Sequence, residues 1–272
     1  MNRVAEDSAS RRGASSRWSR RDLVGLAAVL TGIVVWELAA RLLFRPLTLP
    51  PITTIVAQGA SSLLGGEELL GGTLLMHSAA SLYRIAAGFA LGSVLGVTIA
   101  LTMGMIPIVH RFLDPIVNFI RFIPDIAWIS PFLIWFGIGE LSKVALITYT
   151  VMFMVLLNTL AGMFAIPRNR FRAAQCMGAN QWQIFRWVVV PATVRFILDG
   201  MRIATSNAFT TIVAAEMIAA QVGLGYLILV SRNFGGTDLI FLGMLVLGVL
   251  GFCADRLFTF VTGRYARRFY LP

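Results

Sequence analysis

The chain has 272 residues, of which 57% are hydrophobic and 13% charged, with a formal net charge of +10. Soluble domains carry roughly 45–50% apolar and about 25% charged residues, so a water-soluble globule is excluded and a lipid-embedded chain is indicated. The basic excess is almost all arginine and lies at the ends of apolar runs, which is how a membrane protein fixes its orientation and not how a nucleic-acid surface is built.

Cys176 and Cys253 fall in a basic loop and a late apolar segment, which predicts no disulfide and no redox role. His77 and His110 stand far apart, without the Cys or carboxylate spacing of a zinc site. No metal site and no catalytic constellation is expected.

Residues 1–22 hold Arg3, Arg11, Arg12, Arg17, Arg20 and Arg21 among serines and read as a disordered cytoplasmic tail. Arg20-Arg21 faintly suggests a twin-arginine export signal, but the apolar run that follows is too long for a signal peptide and lacks a small-residue cleavage site. A crossing helix needs about 20 mostly apolar residues, and six stretches qualify: Leu23 to Phe44, Ser78 to Met103, Ile116 to Gly137, Lys143 to Phe164, Phe196 to Ala219 and Leu239 to Thr262. Between the first two, residues 45–77 begin Arg45-Pro46 and contain Pro50-Pro51 and Gly65-Gly66, which predicts an external loop with an interfacial helix from Ile52 to Leu64.

Placing both termini in the cytoplasm puts Arg111, Arg168, Arg170, Arg172, Arg186, Arg195, Arg264, Arg267 and Arg268 inside with the tail, and leaves Arg45, Lys143 and Arg232 outside. The permease core then spans 78–262, its cytoplasmic loop 165–195, and a short tail 263–272.

In that loop Phe171, Ala174 and Met177 recur at intervals of three, giving one apolar face on a short helix that ends at Gly178. Two readings fit: a helix that docks into a groove on a soluble partner, or an amphipathic helix held at the lipid headgroups.

Of the charges inside or beside the crossings, Glu37 with Arg41 and Asp255 with Arg256 are expected to be structural pairs near helix ends. Arg121, Arg202 and Glu216 are the pathway or gate candidates, since intramembrane charges face protein or water. Arg121 precedes Pro124 and Pro131, so an irregular helix lining a path competes with internal pairing or a reach to the interface. Glu216 suits either a gate or a helix contact. Gly88, Gly92 and Gly96 predict a close-packing helix face.

Arg172-Ala173-Ala174, three residues, Gly178, nine residues, Val188, one residue and Val190-Pro191 resemble the "EAA" loop of binding-protein-dependent ABC importer permeases, E-A-A-x3-G-x9-I-x-L-P. Arg121-Phe122-Ile123-Pro124 and Ile134 through Lys143 resemble stretches of the nitrate, sulfonate and taurine group, as do Val213 through Met217 and Gly223 through Ile228.

The resemblance implies an all-helical permease of the type I importer fold and a loop that docks on an ATPase through Phe171, Arg172, Ala173, Ala174, Met177, Gly178, Ala179 and Gln183. It also implies a cytoplasmic ABC ATPase dimer that binds ATP and Mg, a periplasmic or extracellular solute-binding protein, a second permease copy and a small anionic solute. The setting it implies is the bacterial inner membrane. Arg172 departs from the pattern, which has glutamate there.

The chain has no cofactor of its own to drive transport: its one lysine, Lys143, follows Ser142, so no Walker A sequence is present. An ion-coupled secondary transporter is the alternative, with Glu216 as its coupling acid.

Overall fold

The computed structural model describes residues 20–42, 48–64, 69–70 and 72–266, and every regular element among them is helical. The predicted tail as far as Ser19, the turn signals Arg45-Pro46 and Gly65-Gly66, and residues 267–272 lie outside the described residues. The described residues divide into two compact units on either side of the Ala57–Gln58 bond.

The first unit contains α1 (Arg20–Leu42) and the beginning of α2 (Ile52–Leu64), whose limits coincide with the predicted ones. The expected Glu37–Arg41 pair is present at 2.7 Å, and Glu37 also accepts hydrogen bonds from the Thr53 backbone N–H and hydroxyl. The Trp36 indole donates to the carbonyl of Pro50 at 3.1 Å. These bonds strap the stretch from Pro50 to Thr53 along the last turns of α1.

The second unit continues through α3 (Leu74–Met105), α4 (Pro107–Ile120), a single 3-10 turn (Asp125–Trp128), α5 (Ile129–Phe136), α6 (Glu140–Phe164), α7 (Arg168–Cys176), α8 (Gln181–Ile184), a π turn (Phe185–Val189), α9 (Val190–Ala219), α10 (Leu224–Asn233) and α11 (Thr237–Ala266). Among the described residues three helices are long and apolar enough to cross a membrane, or up to five spans if each of two bent pairs counts once. The predicted first crossing, Leu23 to Phe44, overlaps the 23-residue α1 as far as Leu42, and α1 is not among the spans so counted.

The prediction from Ile116 to Gly137 requires correction. That stretch is not one helix: α4 starts at Pro107, where proline suits the first turn, and ends at Ile120. A break at 121–124 then turns the chain by 98° into the 3-10 turn and α5. Pro124 is the cause, because it lacks an N–H and disfavours helical geometry at Ile123.

The centre of this unit is α6, packed between α3 and α9. One face of α3 carries Gly88, Gly92 and Gly96, all buried. A Cβ at Gly92 would lie 2.6 Å from the Thr148 carbonyl oxygen and 2.7 Å from Val151 Cβ; one at Gly96 would lie 2.6 Å from the Met152 carbonyl oxygen. The helices therefore touch backbone to backbone, as small residues permit in a membrane. A similar approach recurs between α6 and α9, where a Cβ at Gly200 would meet Asn158 Cβ at 2.7 Å.

Gly92→Leu is expected to lose roughly 1–3 kcal/mol or more through overpacking, read as a lower unfolding temperature of the detergent-solubilised chain. Gly248→Ala, where nothing lies within 4 Å, is expected to be neutral or up to about 1 kcal/mol stabilising.

Candidate functional site

Two places concentrate polar chemistry, at opposite ends of α6. Beyond its last residue, Phe164, lies the predicted docking loop. Pro167 precedes α7, and residues 168–176 form its helix. Phe171 is half-buried and Ala174 buried, joining Met163, Ile166, Ile184 and Val189 in an apolar cluster that Leu101 and Met105 of α3 complete. The loop is thus seated on the ends of α3 and α6.

Met177 departs from the predicted face. It is 81% exposed because the helix ends at Cys176 and the three-residue rhythm stops there. The ending is a Schellman motif: Gly178 N–H donates to Gln175 O at 2.9 Å and Ala179 N–H to Ala174 O at 3.0 Å. Gly178 has φ +79, and open space surrounds the position of a Cβ. Backbone conformation, and not crowding, therefore selects glycine there.

Arg172 and Ala173 are exposed and Ala179 is half-buried. The Gln183 side chain is occupied in a capping box, accepting from Asn180 N–H at 2.8 Å while Asn180 Oδ1 accepts from Gln183 N–H at 2.8 Å. A cleft of about 370 Å³ opens beside these residues, lined by Ala174, Met177, Gly178, Ile184, Trp187 and Val188 among others.

The π turn that follows has a local cause. Pro191 has no N–H to offer the carbonyl four residues back, and the Val190 N–H bonds instead to Phe185 O, five residues back.

At the other end of α6 a charge network gathers residues from four helices, with Arg84, Lys143 and Glu216 buried and Glu140 exposed. Arg84 on α3 donates through Nε and Nη2 to both oxygens of Glu140 on α6, at 2.5 and 2.7 Å. Its Nη1 donates to Glu216 of α9 at 2.6 Å and to the Val222 carbonyl at 2.7 Å. Lys143 reaches Glu140 at 3.0 Å. Two cations thus neutralise two anions, and Glu216 is fully buried.

The same network closes the start of α10, whose first N–H groups lack helical partners. Gly223 N–H donates to His77 Nδ1 at 3.0 Å, Leu224 N–H to Ser81 Oγ at 3.0 Å, and Gly225 N–H to Glu216 Oε2 at 2.9 Å. His77 Nδ1 accepts, so the ring proton sits on Nε2, which faces Leu69 O at 2.9 Å. Gly223 has φ +146, and a Cβ there would run into the Glu216 carboxylate.

Of the pathway candidates, Glu216 is sealed into a helix contact, one of the two roles open to it. Arg202 is bound to Asp255 on α11 by two hydrogen bonds, at 2.8 and 3.0 Å. Asp255 was expected to pair with its neighbour Arg256; instead the guanidinium of Arg256 lies 4.9 Å from the ring centre of Phe252. Consecutive helical residues point some 100° apart, whereas helix packing brings α9 and α11 face to face. Arg121 is exposed at the α4–α5 break, its guanidinium 5.0 Å from the Phe122 ring centre. The three candidates do not form one constellation. Sequence reasoning weighed His77 only as a metal ligand and did not single out Ser81, Arg84 or Glu140; the spacing 77, 81, 84, 88 on one helix face was the available signal.

Residues 88–267 match the family model described as binding-protein-dependent transport system inner membrane component. The chain belongs to that family. As an ABC importer permease it is 36% identical over 230 residues to the taurine transport system permease protein of Escherichia coli (strain K12), covering 85% of this chain and 82% of the relative. The nitrate import permease protein of Synechococcus elongatus is 28% identical over 235 residues, 84% of each chain. The fold is also that of a chain of the inward-facing MetNI methionine ABC transporter, with TM-score 0.59 at 19% identity, covering 73% of this permease and 96% of that chain.

Arg84→Met in this permease leaves two carboxylates without their shared cation and is expected to cost about 3–5 kcal/mol. The double variant Arg84→Met with Glu216→Met is expected to recover a large part of that loss, read from unfolding temperatures in detergent. Gly178→Ala is expected to cost roughly 1 kcal/mol, and Gly178→Asn less, since asparagine tolerates left-handed backbone better.

Proposed function

We propose that this permease moves a small anionic solute, delivered by a solute-binding protein, through a path formed with a second copy of the chain, and that α7 and α8 dock on a cytoplasmic ATPase dimer that binds ATP and Mg. The carrying observation is the construction of the docking loop. Phe171 and Ala174 are packed into the ends of α3 and α6, while Met177, Trp182 and Trp187 stand exposed beside them. Motion imposed on α7 by a partner therefore passes directly into the two helices that pack most closely in the permease. ATP hydrolysis is assigned to the partner, in keeping with a chain that has no Walker A lysine.

Both termini are assigned to the cytoplasm, in keeping with the arginines of the 165–195 loop and of the two chain ends. That orientation puts the Arg84 network toward the outside. The anionic solute class is carried over from relatives named for taurine and nitrate.

The path itself is assigned to the outer side of α9. A groove of about 780 Å³ between α9, α10 and α11 is lined by Ser206, Phe209, Thr210, Met217 and Ile228, with Asp255 at its edge. Arg202 stands next to it, held by Asp255. Arg121, on the broken helix, is the second cation available to an anion in transit. An ion-coupled transporter would require Glu216 to exchange ions, and a carboxylate locked by Arg84 and Ser81 is poorly placed for that.

The test is co-purification of the tagged permease from gentle detergent with its ATPase subunit, comparing wild type with Met177→Asp and Trp187→Asp. Both side chains are more than 70% exposed, so the fold survives. Recovery of the ATPase with wild type and its loss in both variants is the expected result. If wild type retains no ATPase, or both variants retain it fully, docking through this loop is wrong.

A further inference from the structure

The loop from 165 to 195 contains Arg168, Arg170, Arg172, Arg186 and Arg195 and no carboxylate. The three arginines of α7 are exposed, and among the described residues none of them takes part in an ion pair within the chain. Arg168 and Arg170 also stand in the first turn of a nine-residue helix, where the positive end of the helix dipole repels them. Among the described residues no carboxylate pairs with Arg168, Arg170 or Arg172; of the loop's arginines Arg195 has one, Asp199 at 3.9 Å.

An interfacial role would need an apolar face free to enter lipid. That face of α7 is already used, because Phe171 and Ala174 are packed against Met163 and Ile166. What α7 presents outward is guanidinium, Asn169, Gln175 and Ala173. Next to Arg172, along the chain, lies the open cleft flanked by Met177 and Trp187.

We propose that the ATPase surface receiving this loop carries carboxylates opposite Arg168 and Arg172, and an apolar side chain that enters the cleft between Met177 and Trp187. The inference rests on the ATPase-docking reading above and adds the polarity of the contact. Position 172 holds arginine where the family pattern has glutamate, so this permease and its ATPase are a charge-inverted pair. Such a pair excludes ATPase subunits whose docking cleft is basic, by like-charge juxtaposition.

The experiment measures binding of the purified ATPase subunit to the permease in nanodiscs of neutral lipid, at salt from about 50 to 500 mM, a range over which the screening length contracts severalfold. The permeases compared are wild type, Arg172→Gln, Arg172→Glu and Arg168→Glu combined with Arg172→Glu. Wild-type affinity is expected to fall steeply with salt. Arg172→Gln is expected to weaken binding about threefold and Arg172→Glu at least tenfold, the size of one exposed-to-buried ion-pair contribution. A lysine substituted for an acidic residue of the ATPase cleft is expected to restore binding to the double variant.

Arg172→Glu binding as tightly as wild type, or more tightly, overturns the proposal. Salt-independent binding with all four permeases equal also overturns it, and binding that appears only when anionic lipid is added assigns the arginines to headgroups instead. Loss of binding in wild type at every salt concentration, with a correctly folded permease by size exclusion, rejects the docking reading itself and not only its polarity.

Discussion

A guanidinium and a carboxylate buried together at one end of a helix bundle set the geometry of much of what surrounds them. Arg84 spends its donors on Glu140, Glu216 and the Val222 carbonyl, so that α3, α6 and α9 meet at one residue. Removing the Arg84 charge would strand the Glu216 carboxylate away from water. Glu216 in turn accepts from Gly225, which fixes where α10 begins and so the 52° bend between α9 and α10. The position of α10, one wall of the groove along α9, thus depends on a charge pair that the groove does not contain.

Between that network and the docking loop lies a packed column with little slack. The close contacts at Gly92, Gly96 and Gly200 leave little room at those levels for α3, α6 and α9 to shift against one another. Interiors packed at such density move as bodies or not at all. A displacement of α7 is consequently shared by its supporting helices, which is the mechanical requirement of the proposed coupling.

Much of this was legible in the sequence, and the rest was hidden for identifiable reasons. The helix over Ile52–Leu64, the glycine face of α3 and the Glu37–Arg41 pair follow from local periodicity, which one chain segment carries by itself. The Arg202–Asp255 and Arg84–Glu216 pairs join residues 53 and 132 positions apart, and no spacing rule connects them. Ile116 to Gly137 is apolar enough on average to look like a crossing, and its prolines signalled an irregular helix; what the letters did not give is the size of the turn, 98°, made at Pro124. Met177 continued an apolar rhythm in the letters but fell one residue beyond the end of its helix. In the docking loop, the residue types were legible while their division into packed and presented faces required the Schellman turn.

The π turn before Pro191 gives a different meaning to the fixed interval between Gly178 and Val188. An interval of that kind is usually counted in residues, yet along a helix it is a screw angle, about 100° per residue. A π turn holds one residue more than an α turn, so α8 is phased against α9 by that wide turn. Lengthening or shortening the helical part of that interval by one residue would swing α8 and its exposed Trp182 through more than a quarter of a revolution relative to α9 while leaving every side chain unchanged.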